Sequence, residues 1–112
     1  MKATAFYWKC SDSPTHPCHA GWHCSDVQVF HHKSRELAGR NIRVNAVMPG
    51  ATETPIYVGL PQEVKDAVAN DSVMKRLAQP EEIAGAVAFL CSNDASFATG
   101  STVTVNGGSW FI

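Results

Sequence analysis

Residues 42–50, Ile-Arg-Val-Asn-Ala-Val-Met-Pro-Gly, decide how the rest of the chain is interpreted. The first seven are mostly apolar and rich in β-branched side chains, which is typical of a strand buried on both faces. Pro49 and Gly50 then favour a turn, because proline has no N–H to donate to a sheet and glycine leaves the backbone free to bend. The stretch therefore predicts a buried strand at 42–48 that ends in a turn.

Two helices and a second strand are predicted after this turn. Residues 61–72 favour a helix with three apolar residues on one face: Val64, Ala67 and Val68. A clearer helix begins at Pro80, since proline suits the first helical position and the glutamates that follow complement the helix dipole. Its apolar residues recur at helical spacing: Ile83, Ala86, Val87 and Leu90. Residues 101–106 alternate threonine and valine, which predicts a strand that Gly107 and Gly108 end.

Strands that alternate with helices predict an α/β fold built on parallel strands, with a right-handed crossover between them. In such sheets, ligands collect beyond the carboxyl ends of the strands. Thr52 and Thr54 place hydroxyl groups just beyond the end of the strand at 42–48. A purely structural turn without a binding role is also possible, because a Pro-Gly turn occurs in any fold and Thr54 before Pro55 also fits an extended, solvated segment.

Length and composition exclude several classes of protein. The chain has 112 residues, 45% of them hydrophobic, and a formal charge of -1, which fits one modest domain and argues against a strongly basic nucleic-acid binder. No run approaches the roughly 18 apolar residues of a membrane helix, and Met1 to Cys10 lack the apolar core of a signal peptide. We therefore expect a cytoplasmic protein with reduced cysteines, no membrane and no nucleic acid.

The first 33 residues differ in composition from the rest. All five histidines and three of the four cysteines lie there, with few aliphatic residues and no sustained periodicity. We therefore predict an irregular or disordered leader over residues 1–33, followed by a folded region over 34–112.

The leader also offers a metal-binding alternative. Cys18, His19, His23 and Cys24 lie within seven residues, with Cys10 and His16 nearby, and zinc prefers such nitrogen and sulfur ligands. The spacing does not match a zinc finger or ribbon, and the His-Glu-x-x-His motif is missing because position 20 is alanine. A zinc-binding leader and a chance accumulation of ligands both stay open.

Several short motifs match one family in order and spacing. They are residues 35–50, Thr-Glu-Thr-Pro at 52–55, Gln-Pro-Glu-Glu-Ile-Ala at 79–84, Val-Ala-Phe-Leu-Cys-Ser at 87–92, Thr-Gly at 99–100 and Val-Asn-Gly-Gly at 105–108. Over about residues 34–112 the chain resembles the short-chain dehydrogenase/reductase family. The resemblance implies the C-terminal portion of a Rossmann-like doubly wound parallel sheet, with two strands and crossover helices. It also implies NAD or NADP as cofactor and a small carbonyl or alcohol substrate.

The same resemblance assigns roles to individual residues. Pro49 and Gly50 would border the nicotinamide, the backbone near Thr52 would meet its carboxamide, and Thr54 would hydrogen-bond the cofactor. Residues 57–60 would begin a flap over the substrate. Residues 80–112 resemble the surfaces through which the family forms dimers and tetramers, so a homo-oligomer is expected.

Two family motifs are missing. The chain contains no Gly-x-Gly-x-x-Gly phosphate loop, and His19 to Cys24 stand where the family carries its catalytic Tyr-x-x-x-Lys pair. Neither Tyr7 nor Tyr57 has a lysine four residues later. We therefore assign no catalytic residue and no metal ligand, and expect the chain to be inactive alone.

The abrupt end of the similarity has two explanations that the protein sequence leaves open. The leader is either out-of-frame translation or part of a truncated or fused gene. A self-associating interaction module is the alternative function, because the strand at 42–48 would lack its earlier neighbour and offer an open edge to another chain.

Overall fold

The structure, a computed structural model, describes residues 4–8 and 24–109, with side chains from residue 31 onward. In chain order the elements are β1 (Thr4–Trp8), α1 (Cys24–Ala38), β2 (Arg43–Pro49), α2 (Pro55–Val58), α3 (Gln62–Asp71), α4 (Pro80–Cys91), a 3₁₀ turn (Asn93–Ala95) and β3 (Thr102–Val105). The three strands form one parallel sheet in the order β1-β2-β3. The predicted α/β class is therefore confirmed.

The core lies on the two faces of β2. Val44 and Ala46 pack with Leu37 of α1 on one face, and Val47 packs with Leu90 of α4 on the other. Successive side chains of a strand point to opposite faces, so a strand covered on both sides needs the continuous apolar run seen in the sequence. The predicted strand at 42–48 and helix from Pro80 are confirmed as β2 and α4.

Buried polar side chains of β2 hold the connection between α4 and β3. The Asn45 side chain is fully buried, and its Nδ2 donates to the Ala98 carbonyl at 2.9 Å while its Oδ1 accepts from the Ser101 N–H at 3.2 Å. Arg43 is 8% exposed and donates to the Ser92 and Ala98 carbonyls at 3.3 and 3.4 Å. These bonds satisfy groups that would otherwise be costly to bury.

The structure differs from the sequence-based expectation at the N-terminal side. Residues 1–33 were expected to be irregular, but they contain β1 and the first turns of α1, so the sheet has three strands instead of two. β1 is too short for a periodic signal, although its threonine and aromatic residues suit a strand. Its pairing with β2, from Thr4↔Arg43 to Trp8↔Val47, also corrects the expectation of an open β2 edge.

Two further expectations concern ligands and membranes. The Cys and His residues at positions 10 to 23 lie outside the described residues, so the zinc alternative stays a hypothesis. In residues 4–8 and 24–109, no group of three or more His, Cys, Asp and Glu side chains is placed to hold a metal ion. The helices of this part of the chain are too short or too polar to cross a membrane.

Candidate cofactor-binding edge

The turn after β2 continues the pairing of β2 with β3. Pro49 lies opposite Val105, and the Gly50 N–H donates to the Val105 carbonyl at 2.9 Å. A Cβ at Gly50 would lie 2.6 Å from the Asn106 Cα and 3.0 Å from the Asn106 carbonyl oxygen. Glycine is therefore required here by the close approach of two backbones, whether or not a ligand binds.

Thr52 belongs to a second, shorter contact between chain segments. It forms an isolated parallel bridge with Ala78, in which the Ala78 N–H donates to Ala51 at 2.9 Å and the Glu53 N–H donates to Ala78 at 2.8 Å. The Thr52 hydroxyl donates to the Gly50 carbonyl at 3.0 Å. Both backbone and side chain of Thr52 thus fix the shape of the turn.

Thr54 occupies the position before the first residue of α2. Its backbone is extended, with φ -137° and ψ 165°, and its carbonyl accepts from the Tyr57 N–H at 2.9 Å. The half-buried side chain makes no capping hydrogen bond to this helix in the described structure. The four residues singled out from the sequence therefore lie on one turn at the carboxyl edge of the sheet, where Thr52 is engaged in holding the turn and Thr54 leaves its hydroxyl to other partners.

A pocket of about 70 Å³ lies beside this turn. Its wall includes two buried polar residues, Ser72 and Asn106, that the sequence analysis did not single out. The Ser72 Oγ lies 3.1 Å from the Ala69 carbonyl and 3.2 Å from the Arg76 carbonyl, while Asn106 Oδ1 accepts from the Gly108 N–H at 3.0 Å. Asn106 directly follows β3, just as the turn directly follows β2. Its position at the end of a predicted strand is therefore the feature of the sequence that indicates it as a site residue.

An ion pair stands at the rim of the pocket. The Arg76 guanidinium donates two hydrogen bonds of 2.7 Å to the Glu82 carboxylate, which also accepts from the Gln79 N–H at 2.7 Å. The bonds from Arg76 first, and then the bond from Gln79, lower the pKa of Glu82 to about 2. Both side chains are nearly half exposed, so the pair fixes geometry more than it adds stability.

The segment between the turn and this ion pair packs loosely. The predicted helix at 61–72 is confirmed as α3, but neither α2 nor α3 contains a buried residue. Ile56 is 65% exposed and Val58 77% exposed. An apolar surface is therefore left uncovered near the carboxyl edge of the sheet by the described residues.

A parallel sheet covered by helices, with a turn at the carboxyl end of its central strand, is the architecture of the open α/β class, in which ligands generally bind at that edge. A family model described as enoyl-(acyl carrier protein) reductase matches residues 27–109. The chain belongs to the short-chain dehydrogenase/reductase family, as the sequence motifs indicated. The match begins at residue 27, within α1.

Three relatives that the chain resembles carry the names of oxidoreductases. The chain is 43% identical to a 3-oxoacyl-[acyl-carrier-protein] reductase of Thermotoga maritima, covering 67% of this chain and 30% of the relative. It is 49% identical to a cis-4-hydroxycyclohexanecarboxylate dehydrogenase of Sinomonas cyclohexanicum, covering 63% and 28%. It is 35% identical to a meso-2,3-butanediol dehydrogenase of Serratia marcescens, covering 80% and 38%. The chain therefore spans about a third of the length of these relatives.

Proposed function

We propose that this chain supplies the nicotinamide side of an NAD or NADP site in an oxidoreductase that interconverts a carbonyl and an alcohol. The observation that carries the proposal is the turn at the carboxyl edge of β2, at the end of which Thr54 is half-buried and makes no capping hydrogen bond to α2. The names of the relatives support the class of reaction, because they include both reductases and dehydrogenases.

Each residue of the turn has a distinct part in this proposal. Pro49 and Gly50 form the surface against which the nicotinamide ring lies, the backbone at Thr52 meets its carboxamide, and the Thr54 hydroxyl hydrogen-bonds the cofactor. The cofactor, when bound, supplies the hydride chemistry. The uncovered apolar side chains of α2 lie along the segment that would meet the substrate.

We also propose that the 112-residue chain does not complete the reaction alone. A phosphate loop supplies backbone N–H groups for the pyrophosphate, and this sequence contains no such loop. Residues His19 to Cys24 stand where the family carries a tyrosine that exchanges the substrate proton and a lysine that lowers the pKa of that tyrosine. The identity of the substrate, the choice of NAD or NADP and a cytoplasmic location stay predictions.

Titration of the ¹⁵N-labelled chain with nicotinamide mononucleotide tests the site. We expect saturable shifts of the Gly50, Thr52 and Thr54 amide signals, and weak affinity because the nucleotide contacts only one half of a cofactor site. The amides of α4 serve as the internal control. Shifts that fail to saturate, or that concentrate away from residues 50–54, would contradict the proposal.

We propose self-association through residues 80–112 as a second property. Phe89 is 49% exposed and Phe97 is fully exposed, and aromatic residues are enriched in the centres of protein interfaces. Size-exclusion chromatography at two concentrations tests this. Phe97→Ser should shift the chain towards monomer, whereas Ile56→Ser, an exposed apolar residue outside this region, should leave the elution unchanged.

A further inference from the structure

Residues 72–79 form a strap that connects α3 with α4 across the carboxyl edge of the sheet. The Met74 N–H donates to the Gly107 carbonyl at 3.2 Å, beyond the end of β3. Ala78 exchanges hydrogen bonds with Ala51 and Glu53, beyond the end of β2. The strap therefore contacts both strand ends and lies against the turn that we assign to the cofactor.

Glu82, in the first turn of α4, fixes the C-terminal part of the strap. Its Oε1 accepts from Arg76 Nη2, and its Oε2 accepts from both Arg76 Nη1 and the Gln79 N–H, each at 2.7 Å. A bidentate guanidinium holds a carboxylate in one plane, so Glu82 is oriented from the strap side as well as from its own helix. Three hydrogen bonds from the strap, two from Arg76 and one from the Gln79 N–H, thus meet on the Glu82 carboxylate.

Gln79 connects Glu82 to the turn through two hydrogen bonds. Its backbone N–H is held by Glu82, and its side-chain Nε2 donates to Glu53 Oε2 at 2.6 Å. Glu53 lies between Thr52 and Thr54 in the sequence and is bound through its own N–H to Ala78. A continuous path of hydrogen bonds therefore leads from the N-terminal turn of α4 to the residue beside the Thr54 hydroxyl.

We propose that Glu82, oriented by Arg76, is a positioning residue that sets the conformation of residues 51–54 and so the place of the Thr54 hydroxyl. The expected effect of Glu82 on ligand binding rests on the proposed function. The competing interpretation is a capping box that stabilises α4 alone. The two differ in a measurable way, because a capping role leaves the Glu53 amide and nucleotide binding unchanged.

The experiment uses the full ¹⁵N-labelled chain with nicotinamide mononucleotide as the probe. Glu82→Gln keeps the shape of the side chain and removes its charge. We expect exchange of the Glu53 amide to become about tenfold faster, in line with the loss of one hydrogen bond to a charged group, and the probe to bind about threefold more weakly. The Ala46 amide, which donates to Ser101 inside the sheet, should keep its exchange rate.

Two further variants make the result interpretable. Glu36→Gln breaks the Lys33–Glu36 pair of α1, which is 2.8 Å long and similarly exposed, and should change neither measurement. Gln79→Ala removes an exposed side chain and its bond to Glu53 while it keeps the backbone N–H for Glu82. It should reproduce the faster Glu53 exchange, and it provides the test if Glu82→Gln does not fold.

The outcomes separate the positioning role from the proposed function. Faster Glu53 exchange together with weaker probe binding supports both. Unchanged Glu53 exchange in Glu82→Gln overturns the positioning role whatever the probe does, and so does faster exchange with unaltered probe affinity. If the unmodified chain does not bind the probe, the proposed function fails, and faster Glu53 exchange still supports the control of the turn by Glu82.

Discussion

Gly50→Ala tests whether the turn after β2 depends on the close approach of two backbones. The added Cβ would lie 2.6 Å from the Asn106 Cα, 2.9 Å from its Cβ and 3.0 Å from its carbonyl oxygen. Ordinary contact begins at 3.4 Å, so the first of these distances must grow by 0.8 Å. Two of the three atoms belong to the backbone of Asn106, which cannot rotate away as a flexible side chain can.

The expected cost follows from this geometry. Overpacking in a well-packed site costs typically about 1–3 kcal/mol, and a contact this short against backbone lies at the upper end. Removal of glycine also lowers the conformational entropy of the unfolded chain, which offsets about 0.4–1 kcal/mol of this cost. We therefore expect Gly50→Ala to lower the free energy of unfolding by about 2 kcal/mol.

Urea unfolding monitored by circular dichroism measures this cost. Gly85→Ala is the matched control, because Gly85 lies inside α4 and a Cβ there meets no atom within 4 Å besides its chain neighbours and the backbone of its own helix. That substitution should stabilise the chain by about 0.5–1 kcal/mol, since alanine favours a helix over glycine. The two glycine substitutions are thus expected to have opposite signs.

A double variant tests whether the backbone or the side chain of Asn106 imposes the requirement for glycine. Asn106→Ala in the Gly50→Ala background should restore little stability, because the shortest contact is with the Asn106 Cα. Stability of Gly50→Ala equal to that of the unmodified chain would refute the reasoning. Full rescue by Asn106→Ala would show instead that the side chain, and not the backbone, sets the requirement for glycine.

Three further predictions follow from the site and the ion pair. In a chimera that joins residues 34–112 to the N-terminal part of an active family member, Thr54→Ala should weaken cofactor binding by about 0.5–1.5 kcal/mol in a fluorescence titration, and an unchanged affinity would show that Thr54 does not contact the cofactor. The 112-residue chain alone should give no substrate-dependent change in nicotinamide absorbance with alcohols or ketones; a steady change that a substitution in this chain removes would disprove this. The pKa of Glu82 is lowered from 4.5 to about 2, so the ionised carboxylate stabilises the folded state above pH 4.5, and this stabilisation is lost as the pH falls towards 2. Hydrogen exchange of the Gln79 amide should accelerate over that range, and Glu82→Gln should remove the acceleration.

The elements that the sequence predicted correctly carry their own local signal. β2 is a short apolar run closed by Pro49 and Gly50, and α4 begins at a proline and repeats its apolar residues at helical spacing. Such patterns depend only on neighbouring residues, so they can be detected without knowledge of the fold. The turn at 49–54 followed from its position at the end of a predicted parallel strand.

The features that were missed depend on residues far apart in the chain. β1 is five residues long, and its partner β2 begins 35 positions after β1 ends, between Trp8 and Arg43. The requirement for glycine at position 50 comes from Asn106, and the contact of Glu53 with Gln79 joins two segments that only the folded chain brings together. No local pattern encodes such distant contacts.

The bridge between Thr52 and Ala78 has a consequence for how this domain can diversify. It brings the two ends of the excursion over residues 53–77 together at the edge of the sheet, and α2 and α3 within that excursion bury no side chain. The entropic cost of closing a loop rises only slowly with its length. The part of the excursion that contains α2 and α3, residues 55–71, can therefore vary in length and side chains while the sheet, the turn and the strap remain as they are.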